Sequence, residues 1–301
     1  TTEAFQRSWV VLEAELARQW GKSYDISLPE DGDVALWREV GESLGQLNVS
    51  FCKSSREEDR RKILDYAQNG SEGIEGLNRK VQGIALEAMK RAQIMALATS
   101  GDIDNLQAMT PADLRDWRSI RGMTATHIAA WHSQVATFIE ILARTDEAHL
   151  NYTDNDGRTP LSLAAEHGAI SSVYALLRVQ ADPNVCSQQG ISPLHYAALG
   201  NHSAILSTLL GAGADLEAKC KYHGTKGNTA ILLAARAGNA EAIRVLARYN
   251  GDLNIRTASG RTALTQAANW GWTDAVAALL QGGADVNALT TEKVGRSALM
   301  V

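Results

Sequence analysis

Apolar residues fall into two regimes along this chain. In the first 84 residues they recur at helical spacing: Phe5, Trp9, Leu12 and Leu16, then Leu36, Val40, Leu44 and Leu47, predict two amphipathic helices. Ser55 with Glu58 forms a capping-box pattern for a third helix carrying Ile63, Leu64 and Ala67, and Gly70 stands where that helix should stop. A fourth starts near Ser71 and carries Ile74, Leu77, Val81 and Ile84. No turn-rich linker separates it from Met89 and Ile94, so residues 1–83 are expected to form a helical bundle docked rigidly on the segment that begins there.

From there on the pattern repeats. A Gly stands two residues before a Thr or Ser that opens an apolar run, and the lead glycines Gly122, Gly157, Gly190, Gly227, Gly260 and Gly295 are spaced 35, 33, 37, 33 and 35 residues apart. Thr159, Ser192, Thr229 and Thr262 are suited to cap exposed helix amides, and Pro160 and Pro193 sit where a missing N–H costs nothing. The small pairs Ala164-Ala165, Ala197-Ala198, Ala234-Ala235 and Ala267-Ala268 allow close approach of neighbouring repeats, while Leu176-Leu177, Leu209-Leu210 and Leu279-Leu280 fill the space between layers. Gly168, Asn201, Gly238 and Gly271 fall where two helices must reverse direction, with Ser133 as a weaker fit in the first repeat. The prediction is an all-α solenoid of helix-turn-helix units with hairpin loops, preceded by the helical bundle.

The segments Gly157-Arg158-Thr159-Pro160-Leu161-Ser162-Leu163-Ala164-Ala165 and Gly190-Ile191-Ser192-Pro193-Leu194-His195-Tyr196-Ala197-Ala198 carry a resemblance. Their closing motifs are Ala181-Asp182-Pro183-Asn184 and Ala214-Asp215-Leu216-Glu217, matched later by Gly251-Asp252-Leu253-Asn254 and Ala284-Asp285-Val286-Asn287. The chain from about residue 84 to the end resembles the ankyrin-repeat family, whose pattern is Gly-x-Thr-Pro-Leu-His-x-Ala-Ala with a period near 33. The resemblance implies a cap unit at 84–117 and repeats starting near 118, 153, 186, 223 and 256. A partial sixth starts from 291, which predicts that the chain is part of a longer protein. Repeat one departs furthest, with Ala125 and Thr126 in place of Pro and Leu and Ala148-His149 in place of Ala-Asp, so it should be the least stable full repeat.

Charge narrows the partner class. The chain holds 34 acidic and 29 basic residues, and the near balance beyond residue 83 disfavours a nucleic-acid surface, although Lys219, Lys221, Lys226 and Arg236 form a small basic cluster. The three cysteines Cys52, Cys186 and Cys220 make no disulfide framework and point to a reducing, cytoplasmic compartment, or to a host cytosol for a secreted effector. No window approaches the length of a membrane span. Cys52 has no His in its own segment to act as a base, and Cys220 with His223 lacks a second pair of zinc ligands. Gly224-Thr225-Lys226-Gly227-Asn228-Thr229 lacks the spacing and the preceding strand of a phosphate loop. His127 and His195 occupy the family's Thr-Pro-Leu-His position, which implies structural hydrogen bonds. No cofactor, metal or catalytic residue is expected, and the molecule is expected to be monomeric by itself.

The resemblance implies a non-catalytic surface that binds a partner protein on the concave face. The expected contacts just before the inter-helix turns are Trp131, His132, Glu166, His167, Arg236, Asn269 and Trp270, followed by the hairpin residues Arg121, Met123, Asp156, Arg158, Gln189, Ile191, Lys226, Asn228 and Arg261. Trp131 and Trp270 are the first candidates, because Trp and Arg dominate interface energetics. Trp272 is expected to pack, and the long spacing before Gly227 lengthens one hairpin on the expected binding face. The alternative is a targeting arm of a larger enzyme or effector whose catalytic domain lies outside these 301 residues.

Overall fold

Each repeat starts where a hydroxyl residue stands ahead of an apolar run. In the computed structural model, residues 93–119, 121–145 and 150–288 are described, together with residues 75, 79 and 90. The chain divides into two units, Thr1–Ala96 and Leu97–Val301. The bundle expected at 1–83, the Ala148-His149 motif and the partial sixth repeat lie outside the described residues.

The second unit is a run of helix pairs. The cap supplies α1 (Ile103–Gln107) and α2 (Pro111–Asp116). The five repeats follow as α3 (Ala125–Trp131) with α4 (Val135–Arg144), α5 (Pro160–Glu166) with α6 (Ile170–Arg178), α7 (Pro193–Leu199) with α8 (Ser203–Gly211), α9 (Ala230–Ala237) with α10 (Ala240–Arg248), and α11 (Ala263–Asn269) with α12 (Thr273–Gln281). First helices pack on first helices and second on second, each touching its neighbour in the series. Thr124, Thr159 and Thr262 accept the amides of His127, Ser162 and Thr265 at 3.3, 3.2 and 3.3 Å. Thr229 does not cap: its helix carries Leu232 at the third position, which offers no polar group in return, and the hydroxyl is buried without a partner among the described residues.

The alanine pairs explain the tight stacking. Ala164, Ala165, Ala197, Ala198, Ala234 and Ala235 have no exposed surface, while Leu161, Leu176, Leu194, Leu209, Leu246 and Leu279 fill the layers between them. Residues at the reversals adopt the left-handed conformation, with φ of 59° at Ser133, 74° at Gly168, 57° at Asn201, 76° at Gly238 and 71° at Gly271. At Gly238 the conformation is only half the reason for glycine. An added Cβ would lie 2.7 Å from Cδ2 of Trp272, whose indole covers the turn.

Three hydrogen-bonded ladders run from repeat to repeat. Hairpin tips join through Asn155 N–H to Arg121 O (2.9 Å), Gln188 N–H to Asp156 O (3.0 Å), Lys221 N–H to Gln189 O (2.8 Å) and Ala258 N–H to Lys226 O (3.2 Å). Closing loops join through side-chain acceptors: Asn151, Asn184, Glu217 and Asn254 take the amides of Asp182, Asp215, Asp252 and Asp285 at 3.2, 2.8, 2.9 and 2.8 Å. The third ladder uses the residue after each reversal. Gln134 donates to Thr99 O (3.1 Å), His202 to Glu166 O (3.1 Å), Asn239 to Ala198 O and Leu199 O (2.9 and 2.8 Å), and Trp272 to Arg236 O (3.2 Å). These carbonyls end the preceding helix, beyond the reach of its regular hydrogen bonds, so each donor adds a bond worth about 0.5–1.5 kcal/mol net, although Ala198 O also accepts the Asn201 amide at 3.4 Å. Repeat two has Ala169 there and contributes none.

The described fold is mostly helical rather than all-α. The four-residue lengthening ahead of repeat four folds as a two-stranded antiparallel ribbon, β1 (Cys220–Tyr222) paired with β2 (Thr225–Asn228). Its length lets Tyr222 reach back onto a cluster of Ile191, Cys220 and Leu233, beside Tyr196 and Leu199.

Candidate functional site

The expected contact surface has two rows, the helix ends before each reversal and the hairpins that face them. In the helix-end row, Trp131 closes α3 and is half-buried. Its ring lies 4.4 Å from His167 at 10° and 5.9 Å from His132 at 9°, a pile of nearly parallel rings that joins repeats one and two. His132 and His167 are exposed. Burial first, countered by Glu166, pulls the His167 imidazole below its usual pKa. Leu199 is spent on the Tyr222 cluster, and Arg236 stacks its guanidinium 5.5 Å above the Tyr222 ring. Asn269 and Trp270 end the row, with Trp270 60 % exposed.

The hairpin row is less uniform. Arg121, Asp156, Gln189, Lys226 and Arg261 are exposed, as expected. Arg158 is turned inward on its own repeat: its guanidinium reaches Asp154 at 2.9 Å, Asp156 at 3.3 Å and Glu166 at 3.5 Å. Three of the expected contact residues therefore hold one another. Met123, Ile191 and Asn228 are buried, at 3 %, 6 % and 1 %, which corrects the expectation that they lie on the surface. All three follow the hairpin Gly, where the returning strand points its side chain into the repeat. Arg158 and Arg261 share that position, but their stems are long enough to turn the charge aside: Arg261 is exposed, and Arg158 folds back onto its carboxylates.

The histidines of the Thr-Pro-Leu-His position hold backbone. Nδ1 of His127 accepts the Thr124 amide at 3.1 Å and lies 2.7 Å from the Thr124 hydroxyl, so Nε2 carries the proton and donates to Arg158 O at 3.0 Å. His195 repeats the arrangement with Ser192, Ala218 O and Asn228 O. A second proton on Nδ1 would face an N–H donor in a dry site. Burial accordingly lowers both, His127 to about 4. The Cys220 thiol faces the core and burial pushes it up to about 11, well away from a reactive thiolate. Among the described residues no three His, Cys, Asp or Glu side chains converge as a metal site, and no helix is long and apolar enough to cross a membrane. Cys52 lies outside the described residues.

Sequence reading missed the third ladder and one charge arrangement. Lys221 and Lys226 are direct cross-strand partners in the ribbon, two ammonium groups on one face. Their odd spacing about the turn at His223-Gly224 was the available signal.

Comparison with known proteins agrees with this geometry. A family model described as ankyrin repeats, in three copies, matches residues 94–187, 151–220 and 194–290. The transient receptor potential cation channel subfamily A member 1 of Homo sapiens is 31 % identical over 122 residues, which is 40 % of this chain and 11 % of that protein. Human ankyrin repeat domain-containing protein 63 is 33 % identical over 111 residues, 37 % of this chain and 29 % of that one. The palmitoyltransferase AKR1 of Debaryomyces hansenii is 30 % identical over 126 residues, 39 % of this chain and 15 % of that enzyme. The matched stretches thus span about a tenth to a third of these relatives' length. The crystal structure of the human ASB11 ankyrin repeat domain superposes with a TM-score of 0.57 at 19 % identity, covering 69 % of this chain and 90 % of that one, a likeness of fold.

Proposed function

Because the chain belongs to the ankyrin-repeat family, as the match over residues 94–290 shows, we propose that it is a non-catalytic module that binds a partner protein along the row of helix ends and hairpins. The observation that carries this is Trp270, 60 % exposed at the end of α11. A large indole held in water on a rigid helix end contributes little to folding, yet offers much apolar area to a partner at low entropic cost. Trp131, leaning on His167, adds a second flat aromatic surface at the other end of the row. The ladders hold the surface in place, so binding requires little rearrangement.

The test is affinity capture from a cell lysate with the native chain and with Trp270→Ala. Trp270 is the better single probe, since Trp131 also packs between repeats. A protein retained by the native chain and lost from a variant of unchanged melting temperature supports the reading. Identical capture by both overturns it. A second reading, the recognition arm of a longer enzyme, is favoured by one observation: the repeats shared with AKR1 make up 15 % of that palmitoyltransferase.

A further inference from the structure

Charge is sorted along the row. Repeat two carries Asp154, Asp156 and Glu166, all gathered on Arg158, and repeat three carries no charged residue from Val185 to Leu216 except Asp215. The hairpins leading into repeats four and five, with the end of the helix between them, reverse the sign. No carboxylate occurs between Glu217 and Glu241 or between Asp252 and Asp274, stretches that hold Lys219, Lys221, Lys226, Arg236, Arg256 and Arg261. The nearest carboxylates are engaged elsewhere: Asp215 and Asp252 accept the amides of Glu217 and Asn254 at 3.0 and 2.9 Å, and Glu217 accepts that of Asp252.

The ribbon makes this an arrangement rather than a composition. Lys221 faces Lys226 directly across β1 and β2, both exposed, and like charges in that register oppose the pairing. Arg236 lies over Tyr222 at the ribbon's base. Beside it, α11 places Gln266 one turn before Trp270, on the same face. Gln266 is 8 % exposed and its Nε2 is enclosed without a hydrogen-bond partner among the described residues, so the side chain underlies Trp270 rather than facing water.

We infer that the surface of repeats four and five binds an acidic polypeptide segment, with carboxylates seated on Lys221, Lys226 and Arg236 and an apolar side chain on Trp270. This deepens the protein-binding reading and rests on it. An acidic peptide fits better than a nucleic acid, because a phosphate backbone continuing along the row would meet Asp156 and Glu166 of repeat two.

The test uses the full chain and fluorescein-labelled dodecapeptides of repeated Glu-Glu-Leu, Ser-Ser-Leu or Lys-Lys-Leu, with a dodecamer of deoxythymidine alongside, read by fluorescence anisotropy. The acidic peptide is expected to bind roughly tenfold tighter than the neutral one at about 50 mM salt, and to lose most of that advantage at about 300 mM. Lys221→Glu should weaken it about tenfold while melting holds or rises, since an opposite pair replaces a like pair across the ribbon. Loss of binding through unfolding is thereby separated from loss of charge. Equal binding of acidic and neutral peptides, indifference to Lys221→Glu, or tighter binding of the oligonucleotide overturns the inference. A captured protein lost on Trp270→Ala but retained by Lys221→Glu also overturns it while leaving the protein-binding reading intact.

Discussion

His127 links this fold to pH, with a size that follows from its surroundings. It is fully buried, its Nδ1 accepts an amide and its Nε2–H is donated to Arg158 O, so folding holds it neutral, with a pKa of about 4 against 6.5 in a solvated chain. As pH falls, the unfolded chain takes up the proton first. Stability from this residue is therefore complete above about pH 6.5 and is lost between there and about pH 4. The difference of about 2.5 units at 1.36 kcal/mol each amounts to roughly 3 kcal/mol in full, of which about 2 kcal/mol is gone by pH 5. Urea unfolding followed by tryptophan fluorescence at pH 8 and pH 5, on the native chain and on His127→Gln, isolates the term. The variant is less stable at both pH values, but its loss on acidification should be smaller by about 2 kcal/mol, carboxylate contributions being common to both. Equal losses, or a resonance assigned to the His127 imidazole that titrates near 6.5 in the folded protein, would refute the reasoning.

Four further outcomes are expected. Thr137 is buried with a hydroxyl that has no partner among the described residues, so Thr137→Val should raise stability by about 1 kcal/mol in the same urea assay, and a loss would show that a partner exists. Leu209→Ala removes a side chain with no exposed surface and should cost about 2–5 kcal/mol; a melting curve close to native would put Leu209 outside the core. Gly238→Ala should cost about 1–3 kcal/mol, and less in a Trp272→Ala background, where the indole no longer meets the new methyl. Amides of α4 should exchange faster with solvent than those of α8, since repeat one buries the unpartnered hydroxyls of Thr126 and Thr137; equal protection would rule repeat one out as the weakest.

The phase of the repeats was legible because each motif position has a steric job. Only small residues fit between stacked first helices, which identifies Ala164 and Ala197, and only residues tolerant of the left-handed conformation fit the reversals, which identifies Gly168 and Asn201. The contact residues were legible only in part. Met123, Ile191 and Asn228 were misplaced because their inward direction is set by the hairpin's return path, which the motif does not encode. The third ladder was hidden for another reason. Gln134, His202, Asn239 and Trp272 share no residue type, only an N–H at the right distance from the carbonyl one repeat earlier.

Position in the motif therefore makes a residue eligible for contact, and its neighbours decide whether it is available. In a stacked array every side chain meets only its own repeat and the adjoining ones, so a polar group at a contact position is satisfied internally whenever those repeats offer a complement. Arg158 has Asp154, Asp156 and Glu166 within reach and becomes structural. Trp272 finds the Arg236 carbonyl and becomes structural too, while Trp270, two residues earlier and on the other side of the reversal, stays in water. Lys221 meets Lys226, the wrong complement, and the ribbon keeps the pair. A like-charge pair across two short strands is a standing cost to folding, and an acidic partner converts that cost into a gain on binding. Reciprocity between neighbouring repeats thus separates the residues that build this array from those it presents.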